Sequence, residues 1–182
     1  MDYHFHPDRD MILSMKEVAR LLHDMLAEGI ITDYALFGAV AQMRYTEAVS
    51  TMDADVLVGI PGETRINVLR PIYEYCSSKG YKPEGEAIRV GGWPVQFIPA
   101  FSALTEEAMR KAESGQIESI PIRVVRADHL AVIALSAGRP KDLARILSLL
   151  ESGSVSTDEL ERLVDRHGLS VEWRRFRKRF LE

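Results

Sequence analysis

Apolar residues recur at spacings of three and four from Ile12 through Met15, Val18, Leu21 and Leu22 to Met25, which predicts an amphipathic helix over 11–28 that stops at Gly29. The pattern then tightens. Asp33-Tyr-Ala-Leu-Phe37 reads as a short buried strand broken by Gly38, with a helical stretch following to about Tyr45. Residues 55–60, Asp-Val-Leu-Val-Gly-Ile, predict a second strand ending at the turn Pro61-Gly62, and 64–79 a helix closed by Gly80. Ile88–Val90 and Trp93–Ile98 flank Gly91-Gly92, the kind of glycine pair that closes a tight hairpin. A helix is expected near 103–113 and extended chain over 117–125.

Beyond Ala127 the pattern is helical throughout, with breaks at Gly138-Arg-Pro140, Ser152-Gly-Ser154 and Gly168. Ser156-Thr-Asp-Glu159 has the form of a capping box, so the helix running to Arg166 carries its own start signal. The expected fold is α+β: a mixed sheet with flanking helices over 1–125, with antiparallel pairing, and a helical C-terminal part over 126–182.

Composition narrows the function more than the fold. With 46% apolar and 27% charged residues, the chain has the profile of a globular protein rather than a disordered one. Cys76 is the sole cysteine, which excludes an intrachain disulfide and a thiolate zinc cage and fits a reducing cytoplasm. The longest apolar runs, 130–135 and 56–60, are far shorter than a membrane span, and MDYHFHPDRD has no secretory pattern. The net charge of −4 does not favour bulk nucleic-acid binding. The exception is Trp173–Phe180, where Arg174, Arg175, Arg177, Lys178 and Arg179 surround an aromatic stripe. Its helical spacing points to core contact, while its basic residues suit nucleic-acid phosphate.

Asp53-Ala-Asp55 opens the second strand, where alternation sends both carboxylates to one side. Paired acids repel unless a cation lies between them, and Mg2+ accepts carboxylate oxygens while keeping positions for phosphate. The competing reading is a surface loop cap. Upstream, Phe37-Gly38-Ala39 ends a strand and opens a helix, whose free N–H groups attract phosphate. His4 and His6 read as a solvated tail, and His23, His129 and His167 fall on separate helices. Cys76 has no basic neighbour before Lys79, so nucleophilic catalysis is not indicated. Gly59-Ile-Pro-Gly62 lacks the lysine and hydroxyl of a P-loop.

Leu36-Phe-Gly-Ala-Val-Ala41, Tyr45 and Ser50-Thr-Met-Asp-Ala-Asp-Val-Leu57 together resemble the signature of the DNA-polymerase-β-like nucleotidyltransferase superfamily, in its minimal and AbiEii-like bacterial branch. The resemblance runs from about 30 to about 150. It implies that Gly38 and Ala39 face the triphosphate, that Thr51 belongs to the same motif, and that Asp53 and Asp55 are the catalytic, metal-holding pair for Mg2+. It places Gln96, in Trp93–Pro99, at the family's third-carboxylate position, pointing into the same cleft from an antiparallel strand beside that of Asp55, and Arg139 and Lys141 of Arg139-Pro-Lys-Asp142 near the cleft. Departures are equally specific. Ala39 stands for a glycine or serine, Gln96 for a carboxylate, Ala134 for a lysine and Arg145 for an acid.

An amide neither takes a proton from a hydroxyl nor neutralises a metal. Pro140 and Asp142 also suit a helix start by themselves. Three functions therefore stay open: a cytoplasmic nucleotidyltransferase using a nucleoside triphosphate and an acceptor hydroxyl, a weakened binding and regulatory module of the toxin–antitoxin type with a protein or nucleic-acid partner, or a nucleic-acid-associated protein using the basic C-terminal helix.

Overall fold

The structure, a computed structural model, describes residues 9–47, 49, 51–62, 66–117 and 119–182, with side chains from residue 15 onward. His4 and His6 fall outside these, as does the side chain of Ile12. The chain forms α1 (Arg9–Ala27), β1 (Asp33–Phe37), α2 (Gly38–Gln42), β2 (Ala54–Gly59), α3 (Arg70–Ser78), β3 (Lys82–Glu84), β4 (Ala87–Val90), β5 (Trp93–Pro99), α4 (Ala103–Arg110), β6 (Glu113–Ile117), β7 (Ile120–Val124), α5 (Ala127–Ala137), α6 (Pro140–Glu151), α7 (Thr157–Arg166) and α8 (Ser170–Phe180). The fold is α+β. One seven-stranded mixed sheet has the order β3-β4-β5-β2-β1-β7-β6.

Val56, Leu57 and Val58 in β2 are each at most 1% exposed. Successive strand residues point to opposite faces, so both faces of this central strand are covered. Val18, Leu22 and Met25 of the predicted first helix are fully buried, and Trp173 and Phe176 of α8 join the core. The aromatic stripe of α8 is thus packing, while Arg174, Arg175, Lys178 and Arg179 face outward or lie half-exposed. No helix among the described residues is long and apolar enough to cross a membrane.

Several expectations change in detail. The stretch after Gly38 is helical only to Gln42, because Arg44 and Tyr45 bond three residues back, to Ala41 and Gln42, and tighten into a turn. The helix predicted from 64 begins at Arg70, where Pro71 occupies an early position that needs no N–H; 64 and 65 lie outside the described residues. The hairpin at Gly91-Gly92 forms, with Val90 opposite Trp93 and both glycines at positive φ (56° and 92°). Two strands were not anticipated, β3 and the edge strand β6, Glu-Ser-Gly-Gln-Ile, whose composition has little β character.

The strand carrying Gln96 neighbours β2 as expected, but it runs parallel to β2 rather than antiparallel. The reason is the connection. Chain leaving β2 passes through α3, β3 and β4 before β5, so the return runs in β2's own direction.

Candidate functional site

Three central strands bring the predicted residues together. Phe37 at the end of β1 lies opposite Asp55 on one side, and Gln96 of β5 lies opposite it on the other. Directly opposed residues project to the same sheet face, so Asp55 and Gln96 share one. Asp53 stands one residue before β2 begins, exposed where Asp55 is half-buried. Thr51 Oγ1 donates to the Asp53 carbonyl at 2.9 Å, with Asp53 Oδ1 3.3 Å away, which fixes the approach to the pair.

Gly38 is the tightest point of the site. Its φ is +62°, and a Cβ placed there would collide with Asp55 Oδ2 and lie 3.1 Å from Asp55 Cγ. The glycine lets the β1–α2 turn press directly on the carboxylate; Ala39 follows in the first turn of α2. Gly38→Ala should therefore lose more stability than Gly29→Ala, because Gly29 shares the left-handed backbone (φ +71°) but has open space where its Cβ would go. Gly29→Ala should cost about 1–2 kcal/mol for backbone strain alone. Thermal melting of both variants checks this; equal losses would mean that Asp55 does not pack on Gly38.

Burial pushes the Asp55 carboxyl above the usual carboxylate range, and the nearby Asp53 charge pushes it the same way. The charges of Lys141, Arg145 and Arg139 favour its ionised form and pull against that shift. The predicted cations Arg139 and Lys141 thus act on the Asp55 carboxyl through their charge. They come from the N-terminal end of α6, after the left-handed Gly138 (φ 65°) has ended α5.

Arg145 was not selected from sequence as a site residue. It is only 10% exposed and is held from two sides: Nε donates to Gln42 Oε1 at 3.0 Å and Nη1 to Asp142 Oδ1 at 3.3 Å. Asp142, 1% exposed, also accepts from Arg139 Nε at 2.5 Å and Nη2 at 3.2 Å. The capping reading of Asp142 is therefore incomplete, since its carboxylate joins two guanidinium groups. The signal was present in the sequence: Asp142, Arg145, Ile146 and Leu149 share a helix face, and charged residues on a core-facing stripe need partners.

A second polar cluster lies apart from this site. Glu107 of α4, with a side chain 8% exposed, accepts from Lys111 Nζ at 2.8 Å and Arg166 Nη1 at 2.5 Å, and its Oε2 pairs with His167 Nε2 at 2.8 Å. His129 Nδ1 pairs with Asp128 Oδ1 at 2.9 Å, while its buried Nε2 has no hydrogen-bond partner and lies 3.5 Å from Glu107 Oε1. His129 and His167, read as unrelated in sequence, thus meet at one carboxylate. Among the described residues no three histidine, cysteine, aspartate or glutamate side chains gather in a metal-holding arrangement. Cys76 is buried, and burial pushes its thiol up to about 11, which leaves it unreactive at neutral pH.

No family model matches the sequence, and no curated protein matches it. Solved structures do. An antigenic nucleotidyltransferase-like protein from Paracoccidioides brasiliensis superposes with a TM-score of 0.51 at 14% identity, over 88% of this chain and 93% of that one. The crystal structure of ANT(2'')-Ia in complex with adenylyl-2''-tobramycin gives 0.53 at 15% identity, over 93% and 98%. The chain has the nucleotidyltransferase fold. A solution structure of the antibiotic-resistance factor ANT(2'')-Ia agrees, with a TM-score of 0.50 and 16% identity over 88% of this chain and 94% of that one. At such identities the likeness concerns the fold alone, and within that fold Asp55, Gln96 and Gly38 converge where β1, β2 and β5 meet.

Proposed function

We propose that the protein binds a nucleoside triphosphate with Mg2+ through Asp53 and Asp55 and transfers a nucleotidyl group to an acceptor hydroxyl. The observation that carries this reading is the contact of Gly38 with the Asp55 carboxylate, beside Asp53, in a nucleotidyltransferase fold. The donor set fits a hard divalent ion. Two carboxylates that repel, one of them disfavoured in its ionised form by burial, are relieved by a cation that takes oxygen ligands. Bound there, Mg2+ would neutralise charge developing on the triphosphate and on the leaving pyrophosphate.

The chain's own groups have distinct parts in this reading. Gly38 gives the phosphates close access to the backbone, with Ala39 keeping its N–H, and Thr51 holds the loop that presents Asp53. Arg139 and Lys141 hold the phosphates. The acceptor oxygen attacks the α-phosphorus, the bond to pyrophosphate breaks, and the acceptor's proton passes to water, because the Gln96 amide cannot take it. ANT(2'')-Ia, whose complex holds adenylyl-2''-tobramycin, supports a small hydroxyl-bearing acceptor. The AbiEii-like motif supports instead a cytoplasmic role in a toxin–antitoxin pair, with a protein or nucleic-acid partner.

Magnesium-dependent binding of the four nucleoside triphosphates by calorimetry tests the reading, and binding should vanish in Asp55→Asn. No binding of any of the four would remove it. Gln96→Glu, which sets a third carboxylate beside Asp55, should tighten Mg2+ binding. Unchanged affinity would mean that Gln96 does not face the metal pair. The second reading, a non-catalytic binding module, is favoured by Gln96 itself: nucleotide binding with no transfer to any acceptor would select it.

A further inference from the structure

The basic run of α8 has no part in the nucleotide site. Ser170–Phe180 carries five of the chain's 23 basic residues and one of its 27 acids, so a strongly cationic helix sits on a chain whose net charge is −4. Helical geometry divides its side chains between two faces. Trp173 and Phe176 are buried and Phe180 half-buried, with ring centroids 5.5 Å and 5.1 Å apart along the stripe. Trp173 Nε1 at 3.4 Å and Arg177 Nη1 at 2.5 Å both donate to Glu161 Oε1 of α7, which anchors the helix and pairs off Arg177. The opposite face carries Arg174, Arg175, Lys178 and Arg179, all exposed. Arg174 Nε donates to the Ser170 carbonyl at 3.3 Å and Arg179 lies 5.0 Å from the Phe180 ring centroid, but among the described residues none of the four forms an ion pair.

These four form two rows, Arg174 with Lys178 and Arg175 with Arg179, and like charges four residues apart destabilise a helix. The helix dipole offsets this for Lys178 and Arg179 in the last turn, but Arg174 and Arg175 lie before it. We propose that this face of α8 is a docking surface for the phosphate backbone of a nucleic-acid duplex. The proposal goes beyond the nucleotide-and-metal reading and does not depend on it. Arg and Lys donate to phosphate whatever the base sequence, and the array is already fixed to the body by its aromatic stripe. A helix that lies in a bilayer surface must bury its apolar face there, and α8 has spent that face on the core. Single strands are held on exposed aromatic platforms, whereas Trp173 and Phe176 point inward. The rest of the chain carries more acids than bases, which repels phosphate and confines docking to this face.

The test is fluorescence anisotropy of a labelled DNA duplex titrated with the full chain over a series of salt concentrations, without nucleotide or Mg2+. Four phosphate contacts should give a slope of log affinity against log salt of about −3.6, at about 0.9 for each phosphate neutralised. The double variants Arg174→Gln with Arg175→Gln, and Lys178→Gln with Arg179→Gln, should each make that slope shallower by about two. Both should keep the parent's thermal midpoint or exceed it, because exposed like charges have been removed. A duplex of unrelated sequence and an RNA duplex should bind as tightly as the first, and the single strand more weakly. No duplex binding at low salt, or binding that both double variants leave unchanged, would overturn the proposal. So would a single strand bound more tightly than the duplex, or binding to vesicles of anionic lipid with none to the duplex.

Discussion

Glu107→Ala should lower the free energy of unfolding by about 3 kcal/mol at neutral pH, the low end of what breaking a buried ion pair costs. Glu107 is where α4, α5 and α7 are tied together: Lys111 comes from the same helix, Arg166 and His167 from the end of α7, and His129 from α5. Lys111 and Arg166 are about half exposed, so water recovers much of what they lose. His167, 9% exposed and hydrogen-bonded to Glu107 at 2.8 Å, recovers little, which leaves a cost on the buried side.

The same group makes the effect depend on pH. Hydrogen bonding from Lys111, more than compensating for burial, and then from His167, with the Arg166 charge, holds the Glu107 carboxyl down at about 2. A carboxylate lowered in the folded state stabilises the fold above its unfolded pKa, and that contribution disappears as pH falls from about 5 towards 2. Urea melts of parent and variant should therefore differ fully at pH 7 and converge as the pH is lowered through that window. A difference that stays constant down to pH 2 would assign the loss to packing and not to charge.

That cluster also shows where sequence reading stops. His129 and His167 sit on different helices, and nothing in local spacing connects either of them to Glu107; only the packing of α5 and α7 against α4 does. What was legible followed from local physics. The 3.6-residue stripe of α1, the glycine pair of the β4–β5 hairpin, the Ser156–Glu159 capping box and the strand, glycine, helix order at Phe37–Ala39 are all written within a few neighbouring residues. The convergence of Gly38, Asp55 and Gln96 was legible only through a family resemblance, because strand order is a tertiary property. The direction of β5 was misread for the same reason, since β3, a three-residue exposed strand with a proline, leaves almost no pattern. Arg145 was visible but misjudged: a charge on a buried stripe signals a partner, and its partners lie on α2 and in its own first turn.

Asp55→Asn should leave the thermal midpoint at or above that of the parent at pH 7 while abolishing both Mg2+-dependent nucleotide binding and transfer of a labelled nucleotide, and Asp53→Asn should abolish them as well. The stability half follows from a shift opposite in sign to that of Glu107. Burial first, and then the Asp53 charge, raise the Asp55 carboxyl, and the attraction of Lys141, Arg145 and Arg139 does not outweigh them. A carboxyl raised in the folded state favours folding while it is protonated, below the unfolded value near 4, and that advantage is lost as pH climbs through the raised folded value. At neutral pH the parent carries the full cost of the ionised, partly buried acid, and asparagine, close in shape and neutral, does not. The gain in midpoint for Asp55→Asn should thus be present at pH 7 and shrink as pH falls through the raised folded value, where the parent's own carboxyl takes up its proton. Mg2+ added to the parent should narrow the same gap at pH 7, because an ion that binds only the folded state adds stability that the variant cannot receive. A variant less stable than the parent at every pH would show that Asp55 is a structural cap whose loss costs roughly 0.5–2 kcal/mol, and full transfer activity in such a variant would end the catalytic reading of the pair.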